Sequence, residues 1–390
     1  MNQDLPIKIF HFHNGTGGGV LSVIRNLLAF RQSSNIENHV IYTINKEKIP
    51  DYSVNNLQGA TSERVFYYSS KWNFYYTCRE LALLLTDSKS VIVAHDWIEL
   101  GMISNLGLNN PVIHVLHGDY DYYFHLAQRH EAWIDSFICV SKSIAYNLKK
   151  RMPNRNNDIR YIPLPVPEIN CIRENKSTLD LLFAGRCDQA KGYYLLPLID
   201  ASLRQKGIHA NWHIAGPGSD QTKSQQQWEN SKVQFYGNLS SEGLTSLLLK
   251  TTALVLPTLA EGMPVSVIEA MKAGVIPVVN DLKGGLQELV INNVTGYRIP
   301  NNEPLIFAEC IEGINADIEK RKQISTAAIT FANRYFNPEQ NTKLFENGFL
   351  QAYGKPKKKR AIKTIGSRLD QPYFPNSIVN IIRNLYQLFK

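Results

Sequence analysis

Apolar positions along the chain fall into short runs rich in β-branched and aromatic residues, each followed by a longer stretch with helical spacing. IKIFHFH at 7–13 reads as a strand and GTGGG as the loop after it. Val20, Val23, Ile24, Leu27 and Leu28 then mark a helix over 20–30. Strand-like runs recur at 39–44, 91–95, 112–117 and 136–141, with helical patterns at 80–85, 126–134 and 143–151 between and after them. Such alternation predicts a parallel sheet covered on both faces.

The pattern breaks at 162–178, IPLPVPEINCIRENKST, where three prolines crowd into five residues before a polar stretch, as in an interdomain linker. It restarts at 179–185 and continues through 212–216, 233–237, 253–257 and 275–280, which predicts a second doubly wound unit. The expected organisation is α/β, with Rossmann-like domains over 1–165 and 166–335 and a helical segment with a basic tail over 336–390. In open α/β sheets ligands bind beyond the carboxyl ends of the strands, so the residues after each strand matter most.

Composition narrows the classes. Hydrophobic residues at 44% and charged residues at 19% of 390 fit a folded globular chain. No apolar run approaches the roughly 18 residues of a membrane span, and the first residues lack a signal-peptide pattern, which places the protein in the cytoplasm. Five scattered cysteines (Cys78, Cys139, Cys171, Cys187, Cys310) form no C-x-x-C pair and read as reduced thiols. The net charge of +8 sits in the tail: residues 355–390 hold nine basic residues and one acid, Asp370, while the rest carries equal numbers of each sign. A nucleic-acid binder would spread that excess over its working face, so nucleic acid is not an expected partner.

Two segments carry candidate chemistry. EGMPVSVIEAMKAG (261–274) follows the run ALVLP; Pro264 suits a helix start and Gly274 its exit, predicting a helix over about 264–273. Glu261 then lies in the preceding loop and Glu269 roughly 8 Å along the helix axis. Between them the entrance formed by Gly262, Met263, Pro264 and Val265 has free N–H groups suited to a diphosphate, while the carboxylates accept from sugar hydroxyls. LLFAGRCDQAKG (181–192) sets Arg186 and Lys191 around a short loop, with Gly185 and Gly192 letting the backbone approach a ligand. Two cations there suit a leaving diphosphate, on which charge accumulates.

G-R-x-x-x-x-K-G followed by E-G-x-P-x-x-x-x-E-A-x-x-x-G resembles the retaining glycosyltransferases of family 4, which have the GT-B fold; GGLQELVINNVTGYRI (284–299) extends the likeness. The resemblance implies that Arg186 and Lys191 contact the donor diphosphate, Glu261 faces the donor sugar, and Glu269 binds the ribose. It implies no metal or other cofactor, the nucleotide-sugar being a substrate, with UDP favoured and GDP the alternative. A glycan or lipid-linked acceptor on the first-domain side would fit surface polysaccharide or glycolipid synthesis. Where relatives carry N-G at the linker, this chain has IPLPV. An epimerase of the same fold and a non-catalytic nucleotide-binding partner are the alternative functions.

In the first domain, Gly17, Gly18 and Gly19 form either a simple strand-to-helix turn or, as the resemblance implies, a loop over the donor phosphates. GTGGGV lacks the last glycine of G-x-G-x-x-G, which disfavours a nicotinamide enzyme. His117, in VIHVLHGDY, is either structural or, by resemblance, a contact to the donor sugar near the reacting carbon. His11 with His13, and His114 with His117, lack a third ligand at a recognisable spacing, so no metal site is predicted. His95 and Asp96 are candidates for the acceptor side. In the tail, 355–368 carries seven cations, and Ile378, Ile381, Ile382, Leu385 and Phe389 recur at helical spacing after Asn376 or Ser377 as a cap. This segment either docks on the first domain or binds an anionic membrane surface, which would make the protein peripheral at the inner face of the membrane.

Overall fold

The computed structural model describes residues 6–16, 18–48, 56–86, 89–169, 178–218, 228, 231–356 and 359–388. Two parallel sheets organise it. The first contains β1 (Ile7–His13), β2 (Ile36–Asn45), β3 (Ser62–Tyr68), β4 (Val91–Ala94), β5 (Val112–Leu116), β6 (Ser136–Cys139) and β7 (Ile159–Tyr161), in the order β3-β2-β1-β4-β5-β6-β7. The second contains β8 (Asp180–Ala184), β9 (Asn211–Ala215), β10 (Lys232–Gly237), β11 (Ala253–Leu256), β12 (Ile276–Asn280) and β13 (Tyr297–Ile299), in the order β10-β9-β8-β11-β12-β13. Central strands such as VIVA and ALVL are buried throughout, as expected where helices cover both faces.

β1 pairs with β2 on one side, from Ile7 opposite Ile36 to His13 opposite Tyr42, and with β4 on the other, Ile9 lying opposite Val91. β8 likewise sits between β9 and β11. Strand order reverses at β1 and at β8, and at such switch points the flanking loops part to leave a crevice. The glycine loop follows β1 and the Arg186–Lys191 loop follows β8.

Three strands were not expected from the sequence. β3, β7 and β13 are short or half-exposed strands toward sheet edges, and their polar residues blur the apolar run that marks a central strand. The helix expected over 80–85 is Phe74–Ala82, because Asn73 caps it, its side chain accepting the Tyr75 N–H at 2.9 Å. The pattern at 126–134 divides into a helix, Asp121–Arg129, and a single 3-10 turn, Glu131–Trp133.

Chain crossings between the two sheets meet at one point. Val166 N–H donates to Phe336 O at 3.3 Å, and the buried Lys272 ammonium donates to both Val166 O (2.7 Å) and Phe336 O (3.1 Å). Beyond that crossing, helix Pro338–Tyr353 packs under the first sheet, with Phe349 edge-on to His11 and Glu346 accepting the N–H groups of Gln32 and Ser33 at 2.9 and 3.0 Å.

The tail continues along the first domain, and its cations are not a uniform basic surface. Lys355 Nζ binds Asp158 and Asp135 O, each at 2.7 Å; Arg360 pairs with Asp135 and the carbonyls of Leu108 and Asn110; Arg383 pairs with Asp370 at 2.9 Å. Lys359, Lys363 and Arg368 are exposed, whereas Lys357 and Lys358 lie outside the described residues. Helix Asn376–Leu388 buries Val379 and leaves Ile378, Ile381, Ile382 and Leu385 exposed; Phe389 is outside the described residues. Among the described residues no helix is long and apolar enough to cross a membrane.

Candidate functional site

Two loops leave the second sheet side by side. After β8 the chain passes Gly185, Arg186 and Cys187 into a 3-10 turn, Gln189–Lys191, capped by Asp188, which accepts the Lys191 N–H at 3.0 Å. Ala190 O accepts from the Leu259 N–H at 2.9 Å and the Thr258 hydroxyl at 3.2 Å, tying this turn to the loop after β11. Gly192 closes the turn at φ 68°, where a β-carbon would overlap the Pro257 carbonyl, so glycine alone fits.

That tie brings Lys191 against Glu261, and its ammonium donates to Glu261 Oε1 with both side chains largely covered. Arg186 lies 3.3 Å from Asp188 with 62% of its side chain accessible, so most of its donors stay open to a ligand. Tyr120, from the first domain, feels both loops: burial raises its pKa, Glu261 adds to the rise and Arg186 opposes it.

Pro264 caps helix Val265–Lys272 with φ −70° and ψ 113°, one residue outside the expected start, and no side chain caps the first turn. Its opening N–H groups are therefore suited to an anion. Glu269 stands half-buried on this helix, and burial pushes its carboxyl up to about 7 against the pull of Arg25. Arg25 belongs to the first domain, on helix Gly19–Ala29, and donates to Ser241 Oγ at 2.9 Å.

The first domain approaches from the opposite side. Gly18 and Gly19 open helix Gly19–Ala29, while Gly17 lies outside the described residues. A β-carbon on Gly19 would stand 3.6 Å from Val265 Cγ2, so the glycine loop faces the helix entrance. Gly262 lies against the His117 carbonyl so closely that any β-carbon would overlap it; Met263 and Pro264 beside it are buried. Glu288, in helix Gly285–Leu289, accepts the N–H groups of Lys142 (3.0 Å) and Ser143 (2.6 Å) at the start of helix Lys142–Arg151. A carboxylate from one domain thus caps a helix of the other. No sequence pattern marks that long-range pairing.

His117 follows β5, and its Nε2 lies 2.8 Å from His95 Nδ1, just after β4. Burial lowers both ring pKa values, that of His117 to about 3, so both rings are neutral at pH 7. His11 and His114 point elsewhere: His11 Nε2 lies 3.3 Å from Asn38 Oδ1, and His114 Nδ1 donates to Ala94 O at 3.1 Å. Among the described residues no three His, Cys, Asp or Glu side chains group as metal ligands.

A cavity of about 120 Å³ under the glycine loop is lined by residues that include His13, Thr16, Gly19, His95, Asp96, Glu99 and Tyr123. Glu99 accepts the N–H groups of His95 and Asp96, both at 2.6 Å, and burial pushes its carboxyl up to about 8, with Asp96 adding to the rise. Glu99 was not singled out from sequence, although Asp96 and Glu99 hold the spacing of a capping box, which they form on helix Trp97–Leu106.

Comparison with known proteins covers both halves. The family model Glycosyltransferase Family 4 matches residues 17–168, and Glycosyl transferases group 1 matches residues 169–331. An uncharacterized glycosyltransferase of Methanocaldococcus jannaschii is 28% identical over 217 residues, covering 52% of this chain and 55% of that protein. The chain thus spans about half the length, or less, of the curated relatives it matches. Anabaena HepE, solved in complex with UDP and glucose, superposes with a TM-score of 0.72 at 16% identity, covering 88% of this chain and 100% of that one. TarM of S. aureus, solved with Fondaparinux, alpha-GlcNAc-glycerol and UDP, gives a TM-score of 0.72 at 14% identity, covering 88% and 99%. These likenesses identify the architecture as GT-B. With one family model on each half, the chain belongs to the group 1, family 4-type glycosyltransferases.

Proposed function

We propose that the protein is a retaining glycosyltransferase that moves a sugar from a nucleoside diphosphate donor, UDP-sugar before GDP-sugar, to a glycan or lipid-linked acceptor in surface polysaccharide or glycolipid synthesis. The observation that carries this reading is the Lys191–Glu261 pair beside the uncapped start of helix Val265–Lys272, facing the glycine loop of the other domain. An acceptor hydroxyl attacks the anomeric carbon on the face from which the diphosphate departs. The bond from that carbon to the diphosphate oxygen breaks, and a donor phosphate oxygen takes the acceptor's proton. Arg186 and Lys191 stabilise the charge left on the diphosphate, supplying without a metal ion what a cation would. Glu261 faces the donor sugar, Glu269 accepts the ribose hydroxyls, and His117 meets the sugar near the reacting carbon. UDP comes first because HepE and TarM were each solved with UDP.

The test is a screen of UDP-, GDP- and ADP-sugars for thermal shift and for release of nucleoside diphosphate with candidate acceptors, the product anomer being read by NMR. Saturable binding, transfer and a retained anomer support the reading. Turnover of a UDP-sugar to its epimer without acceptor assigns an epimerase instead, and no binding of any nucleotide-sugar removes the proposal.

Peripheral attachment to an anionic membrane completes the proposal. Its support is the exposed face Ile378, Ile381, Ile382 and Leu385, with Lys359, Lys363 and Arg368 exposed in the preceding segment. The cations that brace the first domain, Lys355, Arg360 and Arg383, are excluded from this role. Co-sedimentation with anionic and neutral vesicles tests it, comparing the intact protein with an Ile381→Asp/Leu385→Asp variant. Equal binding by both refutes attachment through this helix.

A further inference from the structure

His95 and His117 share a single hydrogen between His95 Nδ1 and His117 Nε2, 2.8 Å apart, because both rings are neutral. Which ring carries it decides what His117 offers the cleft. Either His95 donates and His117 keeps its hydrogen on Nδ1, or His117 donates and presents a bare Nδ1.

The far nitrogen of His95 settles the choice. His95 Nε2 is buried with no hydrogen-bond partner. Were His95 the acceptor, Nε2 would carry an orphaned buried N–H; as the donor, it leaves only an unused lone pair there, the more tolerable defect in a protein interior. His114 shows the same arrangement next door: its Nδ1 must donate to the Ala94 carbonyl, and its Nε2 is left as a buried, unpartnered lone pair. His117 itself is half-buried, and its Nδ1 is not among the fully buried nitrogens that lack a partner, so a hydrogen carried there is not sealed in as an orphan.

We propose that His95 is a positioning residue that fixes His117 as a neutral ring with its hydrogen on Nδ1, so that His117 donates a hydrogen bond to a hydroxyl oxygen of the donor sugar. The proposal rests on the reading above that His117 meets the donor sugar. In this role His95, first read as an acceptor-side candidate, acts by removing one of the two tautomers of its neighbour rather than through a contact of its own to the donor sugar. A sugar oxygen that accepts there is favoured, and a sugar presenting only an apolar group at that position loses the bond.

Long-range 1H–15N correlation spectra of the full-length protein read the histidine tautomers directly, before any substrate is added. The expected result is His95 and His117 both protonated on Nδ1. His95→Asn places an amide N–H near the Nδ1 position and keeps His117 in that form; His95→Leu releases it to the other tautomer or a mixture, with kcat falling about tenfold, the worth of one hydrogen bond. Near-wild-type kcat in His95→Asn, with the loss in His95→Leu, separates positioning from bulk packing. A His117 ring protonated on Nε2 in the wild type overturns the inference and leaves the donor-sugar reading untouched. Wild-type kcat in a folded His117→Ala variant removes His117 from the donor site, overturning the underlying reading whatever the spectra show. If His95→Leu does not fold, the wild-type spectrum and His95→Asn still decide the tautomer.

Discussion

Lys191 donates to Glu261 across 70 positions of sequence and joins the loop after β8 to the loop after β11. The pair makes one charged unit of two loops, with Arg186 beside it, paired to Asp188 but still largely exposed. Lys191→Ala and Arg186→Ala are expected to lower kcat roughly 100-fold or more while donor affinity changes far less, because diphosphate charge grows toward the transition state. Single-turnover kinetics alongside donor binding by calorimetry check this. Wild-type kcat in both variants withdraws the diphosphate assignment.

In the proposed ribose site, Glu269 is expected to give donor binding a pH dependence. Its carboxyl titrates at about 7 rather than 4.5, chiefly because it is buried. If, as proposed, the ionised form accepts hydrogen bonds from the ribose hydroxyls, donor affinity is expected to be full above that value and to fall as pH drops through it, about tenfold per unit below. Glu269→Ala is expected to weaken the donor about 10- to 150-fold at pH 8. Glu269→Gln should flatten the dependence between pH 6 and 8, measured as donor Kd.

Gly262 touches the other domain where no β-carbon fits. Gly262→Ala is expected to hold the cleft apart at His117, lowering kcat/KM by roughly 100-fold through misalignment of the two halves of the site. The melting temperature should move little, since the sheets themselves are untouched. Small-angle scattering with donor present checks whether the variant stays more open than the wild type.

Lys272 braces the chain crossing, and its replacement by Met leaves the carbonyls of Val166 and Phe336 without that donor, at a cost of about 1–3 kcal/mol. Burial lowers the amine from 10.5 to about 8, so the folded protein sheds this proton before the unfolded chain does. Between those values the unfolded state binds more protons, and stability attributable to this residue rises with pH. Urea melts at pH 7.5 and 9.5 should show a gain in wild type that Lys272→Met lacks.

The alternation of strand and helix was plain in the sequence because β1, β4, β5, β8, β11 and β12 are buried on both faces and leave near-continuous apolar runs. Edge strands such as β3 carried no such mark. Within the site, Glu261, Glu269, Arg186 and Lys191 were legible because each pair lies on one local element or loop of fixed spacing. Glu288, Arg25 and Glu99 were not. Glu288 acts on amides 145 and 146 positions away, and Arg25 reaches Ser241 across 216, distances over which spacing holds no information. Docking of the tail on the first domain was one of the two readings its sequence left open, but the ion pairs that fix it were not legible, for the same reason: Lys355 and Arg360 stand in one basic run, whereas their partners, Asp158 and Asp135, lie 197 and 225 positions upstream.

Helix Pro338–Tyr353 covers the first sheet, yet the chain must traverse the whole second sheet between Tyr161 and Pro338 before that cover exists. During synthesis the second unit therefore has its last strand, ending at Ile299, while the apolar underside of β1 around His11 still awaits Phe349. At ribosomal rates of about 5–20 residues per second, synthesis from Tyr161 to Phe349 takes on the order of ten to forty seconds. The N-terminal unit is made first and finished last, so its newborn state is the one that leaves apolar surface uncovered longest.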